Sequence, residues 1–343
     1  LLWWAPWEGV GVGIGATLGG TTSVAGLGGA FLCVRFSGQG MLTLVSRTML
    51  GGWCDRRRGV VAGISGVGLA FGFGGAPALF EAWIERAEWR GAWTEMALLV
   101  GLVMGSLVFL FYRDNPERCG LRMDGAAPLT TEQANEAPPI EGFTRGEALR
   151  TFAFWAVTLA LATQALVVTA ITFHIVDIGA DVGGLDRAQA IAIFLPVAAL
   201  STVVGLVGGP LADRLPVKVL LVAMMGGQAL SIVGVAYLDE WFWLAVFGLG
   251  LSGGLFQPIA TVAYPRFFGR AHLGAIAGAE MMVLVIGSAI GPVVLASSKD
   301  AFASYVPALH LFLVLPALAI VAALAMRPPR PLTPGAAKGG QAG

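Results

Sequence analysis

Charge is what this chain has least of. Only 12% of its 343 residues are Asp, Glu, Lys or Arg, and 21 basic residues cancel 21 acidic ones. That balance lacks the basic footprint of a nucleic-acid binder, so no nucleic-acid partner is expected. Cysteine is scarce too. Cys33, Cys54 and Cys119 show no paired or metal-type spacing, which speaks against a disulfide framework and a cysteine zinc site. The three histidines, His174, His272 and His310, lie far apart, so no metal site is expected either. No Walker-type glycine loop, H-E-x-x-H or G-x-S-x-G stands where it could work. Nothing therefore supports ATP-driven transport or intramembrane proteolysis, and neither an enzyme nor a cofactor is expected.

What the chain has in excess is apolar surface. Hydrophobic residues make up 56% of it, and mean hydropathy is +0.77. A soluble protein of this length could not bury that much. A bilayer can, at about 20 apolar residues per helical span. Ten apolar stretches fit: 1–21, 26–53, 60–84, 90–112, 150–177, 187–210, 217–237, 241–264, 272–296 and 303–326. Residues 1–53 admit a one-span or a two-span reading, because Pro6 and Glu8 interrupt the first stretch. The fold class expected is all-α, a polytopic transmembrane helical bundle.

The longest polar stretch, 113–149, reads as a linker between a first half, 1–112, and a second half, 150–326. The tail 327–343 is rich in Pro, Gly and Ala and reads as disordered. One set of loops carries Arg56–Arg58, Arg113, Arg118, Arg122, Arg145, Arg150, Arg214, Lys218, Arg266, Arg270, Arg327, Arg330 and Lys338. The opposite set carries only Arg86, Arg90, Arg187 and Lys299. The positive-inside rule then puts the linker and the C-terminus in the cytoplasm of a multi-pass cell-membrane protein.

Several motifs carry a resemblance. Gly209-Pro210-Leu211-Ala212-Asp213-Arg214 resembles the G-x-L-A-D-R loop that the major facilitator superfamily repeats between helices 8 and 9. Arg35 to Gly40 resembles the R-x-x-x-Q-G pattern of that family's helix 4. Trp53 to Gly59, with Arg56, Arg57 and Arg58, is similar to a W-F-x-R-R-R-G loop common in monocarboxylate-transporter-like and oxalate/formate-type members. Gly287 to Pro292 fits helix 11 of such proteins. The resemblance implies two pseudo-symmetric halves, of which this chain supplies helices 3 to 12. About ten of twelve helices would thus be present, and the chain, opening at Leu1 without an initiator Met, is expected to be N-terminally truncated.

Function in such a protein lies in the few polar groups inside its spans. Arg35 sits about 12 Å into its span at 1.5 Å per residue, and is either an anion anchor or a structural arginine. Gln39 shares its face at i+4. Arg47, nearer the loop, reads as an interfacial anchor whose stem reaches the headgroups. Glu280 is the acidic residue near mid-span in the second half; it suits proton coupling, cation pairing or an interhelical hydrogen bond. Gln164 and Gln257 could converge with Arg35, since the resemblance has helices 4, 7 and 10 facing the cavity. His174, one turn before Asp177, could sense protons, gate, or merely cap the surface. The resemblance gives the loop of Gly209, Asp213 and Arg214 a conformational role. Arg56–Arg58 read mainly as a topology determinant at an anionic lipid surface.

Alternating-access transport of a small solute follows as the expected function. The branch resembled implies a small organic anion such as a monocarboxylate, with a proton or counter-substrate gradient as the energy source, carried out by a monomer. Glu280 on helix 11, where anion carriers of this type often have a basic residue, departs from that pattern. Efflux of drug-like or other non-anionic solutes, a non-transporting sensor and a non-functional fragment are the alternatives.

Overall fold

The computed structural model describes residue 40, residues 43–113, part of the linker (116, 119, 121 and 123–125) and residues 142–329. The stretch 1–21 and most of 26–53 lie outside the described residues, and with them Arg35, Gln39 and the one-span or two-span question.

The described chain is helical. α1 is Thr43–Trp53. The next helix is hydrogen-bonded from Arg58 to Leu98, but Glu88 at φ 56°, ψ 166° breaks it in two. Its first arm, 58–87, is α2, and its second continues through a π-helical turn as α3, Arg90–Phe111. After α4 (Arg145–Leu149) come α5 (Phe152–Gly183), α6 (Arg187–Arg214), α7 (Val217–Ala236), α8 (Leu238–Phe268), α9 (Leu273–Phe302) and α10 (Val306–Ala325). Among the described residues seven helices, α3 and α5–α10, are long and apolar enough to cross a membrane. No strand forms there; Gly142 and Gly269 make one isolated bridge.

Local sequence explains the ends. Thr144 and Glu147 form a capping box that starts α4, and Asp186 and Gln189 form another that starts α6. Gly184, at φ 58°, takes the left-handed conformation that ends α5. Phe152 follows a cap from Thr151.

Successive helices run in opposite directions, so the loops fall at two ends. The basic end gathers Asp213 against Gly59, Phe143 against Phe268, and Arg270 against Gly52. At the other end the Lys299 ammonium pairs with Asp181, whose carboxylate also accepts from the Tyr305 N–H. One described residue of the polar stretch after α3 is anchored. Asp124 accepts from the Asp55 and Arg56 N–H groups at 2.8–3.1 Å and so is tied to the loop before α2.

The charge asymmetry makes a testable statement about orientation. A cysteine replacing exposed Glu240 should react with an impermeant maleimide on intact cells, and one replacing exposed Lys218 only after permeabilisation. The reverse pattern would invert the map.

Candidate functional site

Two features join α1 and α2 to the later helices α6 and α9. The deeper one is an ion pair. Arg47 on α1 donates from Nη1 to Glu280 Oε1 on α9 at 3.2 Å, with side chains 7% and 2% exposed. The guanidinium lies 5.0 Å from the centroid of Phe256 on α8, a cation–π contact. Its Nε is buried with no hydrogen-bond partner among the described residues. The pairing corrects the reading of Arg47 as a headgroup anchor. The side of α1 that carries Arg47 faces α9 and α8, so the stem points inward. For Glu280, the cation-pairing option is the geometry observed.

Tyr264 on α8 is buried nearby, sharing a 2.8 Å hydrogen bond with Thr158 on α5. That contact fixes the relative height of α5 and α8. Gln164 lies six residues farther along α5 and Gln257 seven residues back along α8, about 9 and 10 Å from the contact. They therefore share a depth. Gln164 is 7% exposed and Gln257 half-buried, and no hydrogen bond joins them. Gly287 on α9 packs against Ala162. Glu280 is seven residues nearer the basic end than Gly287, and Ala162 two residues nearer it than Gln164, so Glu280 sits about 13 Å below the glutamines. His174 is farther out still. Its Nε2 lies 3.1 Å from the Pro292 carbonyl and its ring packs on Tyr305, so it bridges α5 and α9 instead of capping a free surface.

The second feature is at the basic end. Asp213 accepts from the N–H groups of Gly59 (2.8 Å) and Val60 (3.2 Å), the first turn of α2. A carboxylate there satisfies orphan donors and meets the positive end of the helix dipole. The approach demands glycine. A Cβ on Gly59 would collide with the Gly209 carbonyl oxygen, and one on Gly63 would stand 2.5 Å from that of Gly205. Arg214 is exposed and makes no ion pair among the described residues. The carbonyls at the end of α6 are covered instead by Arg266, which reaches Ala212, Asp213 and Leu215 at 2.8–3.3 Å.

The Arg56–Arg58 run divides. Arg56 and Arg57 are exposed, whereas Arg58 is buried, donating to the Cys54 carbonyl at 2.6 Å and pairing with Asp55 at 3.1 Å. A cavity of about 430 Å³ lies among Asp55, Arg58, Asp213, Arg266 and Arg270. Sequence reasoning missed Arg266, Arg270 and Asp124 as parts of this seam, because each acts on backbone carbonyls or N–H groups more than 50 residues away.

Cys54 reports on the seam. Burial, then the neighbouring Asp124, push its thiol above the usual range. In a background with Cys33 and Cys119 replaced by Ser, maleimide labelling of Cys54 should be slow at neutral pH and rise with pH, because the thiolate is the nucleophile. Asp213→Asn, which weakens the bridge to α2, should speed it several-fold; an unchanged rate would show that the bridge does not hold the seam shut.

The profile of the Major Facilitator Superfamily matches residues 9–292. No curated protein matches the chain. Among solved structures, the human organic anion transporter MFSD10 (TETRAN) is 14% identical, with a TM-score of 0.63 over 94% of this chain and 76% of that one. The E. coli fucose:proton symporter FucP gives 11% and 0.60, over 94% of this chain and 82% of that one. The proton:xylose symporter XylE gives 14% and 0.63, over 94% and 78%. At such identities the likeness concerns the fold, and the fold agrees with the profile. The chain belongs to the Major Facilitator Superfamily: it is a multi-pass membrane protein and a transporter of small solutes, not an enzyme.

Proposed function

We propose that the protein is a proton-coupled carrier of a small organic anion of the monocarboxylate class, working by alternating access as a monomer. The observation that carries this reading is the Arg47–Glu280 pair, a guanidinium and a carboxylate buried on opposite halves. The pair is neutral as a unit. An anion that takes Arg47 leaves Glu280 as an uncompensated charge in a low-dielectric site, which costs several kcal/mol. A proton on Glu280 removes that cost. Anion and proton then enter together, and the occupied site stays neutral. The Nε of Arg47, without a partner among the described residues, supports the reading, because it leaves a buried donor that Glu280 does not use and an anion can take.

The other candidates take places around this exchange. Gln164 and Gln257, at one depth, form a polar rung on the solute's path. Arg35 and Gln39 belong to the same path by the resemblance of their motif, Arg35 as a second anion contact. His174 tunes the outer α5–α9 seam. Asp213, Gly209 and Arg58 hold the basic, cytoplasmic end closed, and their release opens it. The linker 113–149 then joins the two halves on the cytoplasmic side.

Uptake of a labelled carboxylate panel into expressing cells at pH 6 and 7.5 tests this. Saturable uptake that rises at low pH and is lost in Arg47→Ala and Arg35→Ala supports it. Absence of uptake with the protein in the membrane moves the weight to efflux of non-anionic solutes. Ligand binding without flux would mark a sensor.

A further inference from the structure

A cavity of about 640 Å³ opens at the basic end, where α5 begins and α10 ends. It shares no lining residue with the cavity among Asp55, Arg58, Asp213, Arg266 and Arg270. Two arginines stand on its wall: Arg150, two residues before α5, and Arg327, two residues after α10. Both are exposed, and among the described residues neither guanidinium makes a hydrogen bond or an ion pair. One carboxylate shares the wall, that of Glu147. It is already committed, with Oε2 accepting from the Thr144 N–H at 2.8 Å and from its hydroxyl at 2.9 Å. Those bonds hold the Glu147 carboxyl below the usual glutamate range. The cavity therefore presents two exposed cations, neither in an ion pair among the described residues, against one carboxylate that is hydrogen-bonded to Thr144 and that Arg150 also attracts at longer range.

Its depth and its lower edge narrow the ligand. α5 and α10 are both apolar spans, so their ends at the cavity mark the boundary between acyl chains and headgroups. Just inside that boundary Phe152 is 56% exposed, Trp155 41% and Leu324 63%. The Trp155 indole is held by the Leu149 carbonyl at 2.8 Å, which keeps its ring at the interface. Cations above an open cavity, with exposed apolar side chains below, match an amphiphile with an anionic head.

We propose that this cavity is a binding site for an anionic phospholipid, its phosphate held between Arg150 and Arg327 and its acyl chains lying along Phe152, Trp155 and Leu324. A soluble phosphate would use the arginines but leave the apolar edge unused, which favours the lipid. The site also abuts the inter-half machinery. Phe143, on its wall, packs edge-on to Phe268 at the end of α8, two residues from Arg266.

Native mass spectrometry of the full chain, in micelles doped with phosphatidylglycerol or phosphatidylcholine, tests this. Phosphatidylglycerol should be retained in preference. Arg150→Gln combined with Arg327→Gln should weaken its retention about 30-fold, each arginine near an anionic lipid supplying on the order of fivefold. Arg145→Gln removes an exposed charge of the same segment outside the cavity and should change retention little. Equal retention of phosphatidylglycerol by the double variant would overturn the site. So would an equal loss in Arg145→Gln, which would reduce the effect to general surface charge. Displacement by millimolar inorganic phosphate, with no preference between the two lipids, would overturn the lipid as occupant.

Discussion

Arg47→Ala should destabilise the purified protein by about 3–5 kcal/mol and abolish transport. The cost follows from what is left behind: Glu280, 2% exposed, loses the cation that compensates it. Glu280→Gln should cost less, since an amide can still accept from Arg47, but it should flatten the pH dependence of net flux. The double variant Arg47→Met, Glu280→Gln removes both charges. It should recover most of the stability lost in Arg47→Ala, because a buried pair replaced by neutral groups is often close to neutral in energy. It should not recover transport. Thermal unfolding in detergent of Arg47→Met, Glu280→Gln and the double variant, arranged as a double-mutant cycle, separates the pair from its surroundings. Additive losses in stability would mean that the two side chains do not interact. Retained pH dependence in Glu280→Gln would remove Glu280 from coupling.

Gly63→Ala should be nearly as damaging as the loss of that charge pair, although it adds one methyl group. The new Cβ would stand 2.5 Å from the Gly205 carbonyl oxygen, and the obstacle is backbone, which cannot rotate aside. α2 and α6 would have to separate, and that lengthens the Asp213 bridge to Gly59 and Val60. Overpacking of this kind costs on the order of 3 kcal/mol. Gly66→Ala, three residues along the same helix, meets nothing within 4 Å among the described residues and should stay within about 0.5 kcal/mol of the parent. The contrast isolates helix contact from glycine's effect on helix propensity, which is the same at both positions. Melting temperatures and flux for the two variants give the comparison. Equal behaviour of Gly63→Ala and Gly66→Ala would mean that α2 and α6 do not approach as closely as described.

The spans were legible because their signal is local. About 20 apolar residues with a charge at each end predict a helix without reference to anything distant, and the α5–α10 boundaries fall within about six residues of that expectation. The G-x-L-A-D-R resemblance pointed to Asp213, but not to its partners, because an N–H group at Gly59 has no signature in sequence. Arg47 shows the limit most clearly. Its distance from the helix end suits a stem reaching headgroups and equally a stem reaching a carboxylate. What decides between them is the face that α1 turns to α9, set by a residue 233 positions away. Arg58 was hidden in the same manner within a run of three arginines, two of which do face out. Gln164 and Gln257 come to one depth, which residue counting along two helices can give, whereas Arg35, the third residue expected with them, lies outside the described residues. The height of Glu280 depends on how α9 is set against α5 at Gly287 and Ala162, and no local pattern gives that.

The most direct measurement reconstitutes the purified chain into proteoliposomes and follows a labelled monocarboxylate together with internal pH. An inward proton gradient should drive accumulation. Each anion should bring one proton, and the flux should not respond to membrane potential, because anion and proton cross as a neutral pair. Glu280→Gln should exchange anion for anion but lose the response to the proton gradient. Accumulation that follows membrane potential, or a proton response that survives in Glu280→Gln, would contradict the account.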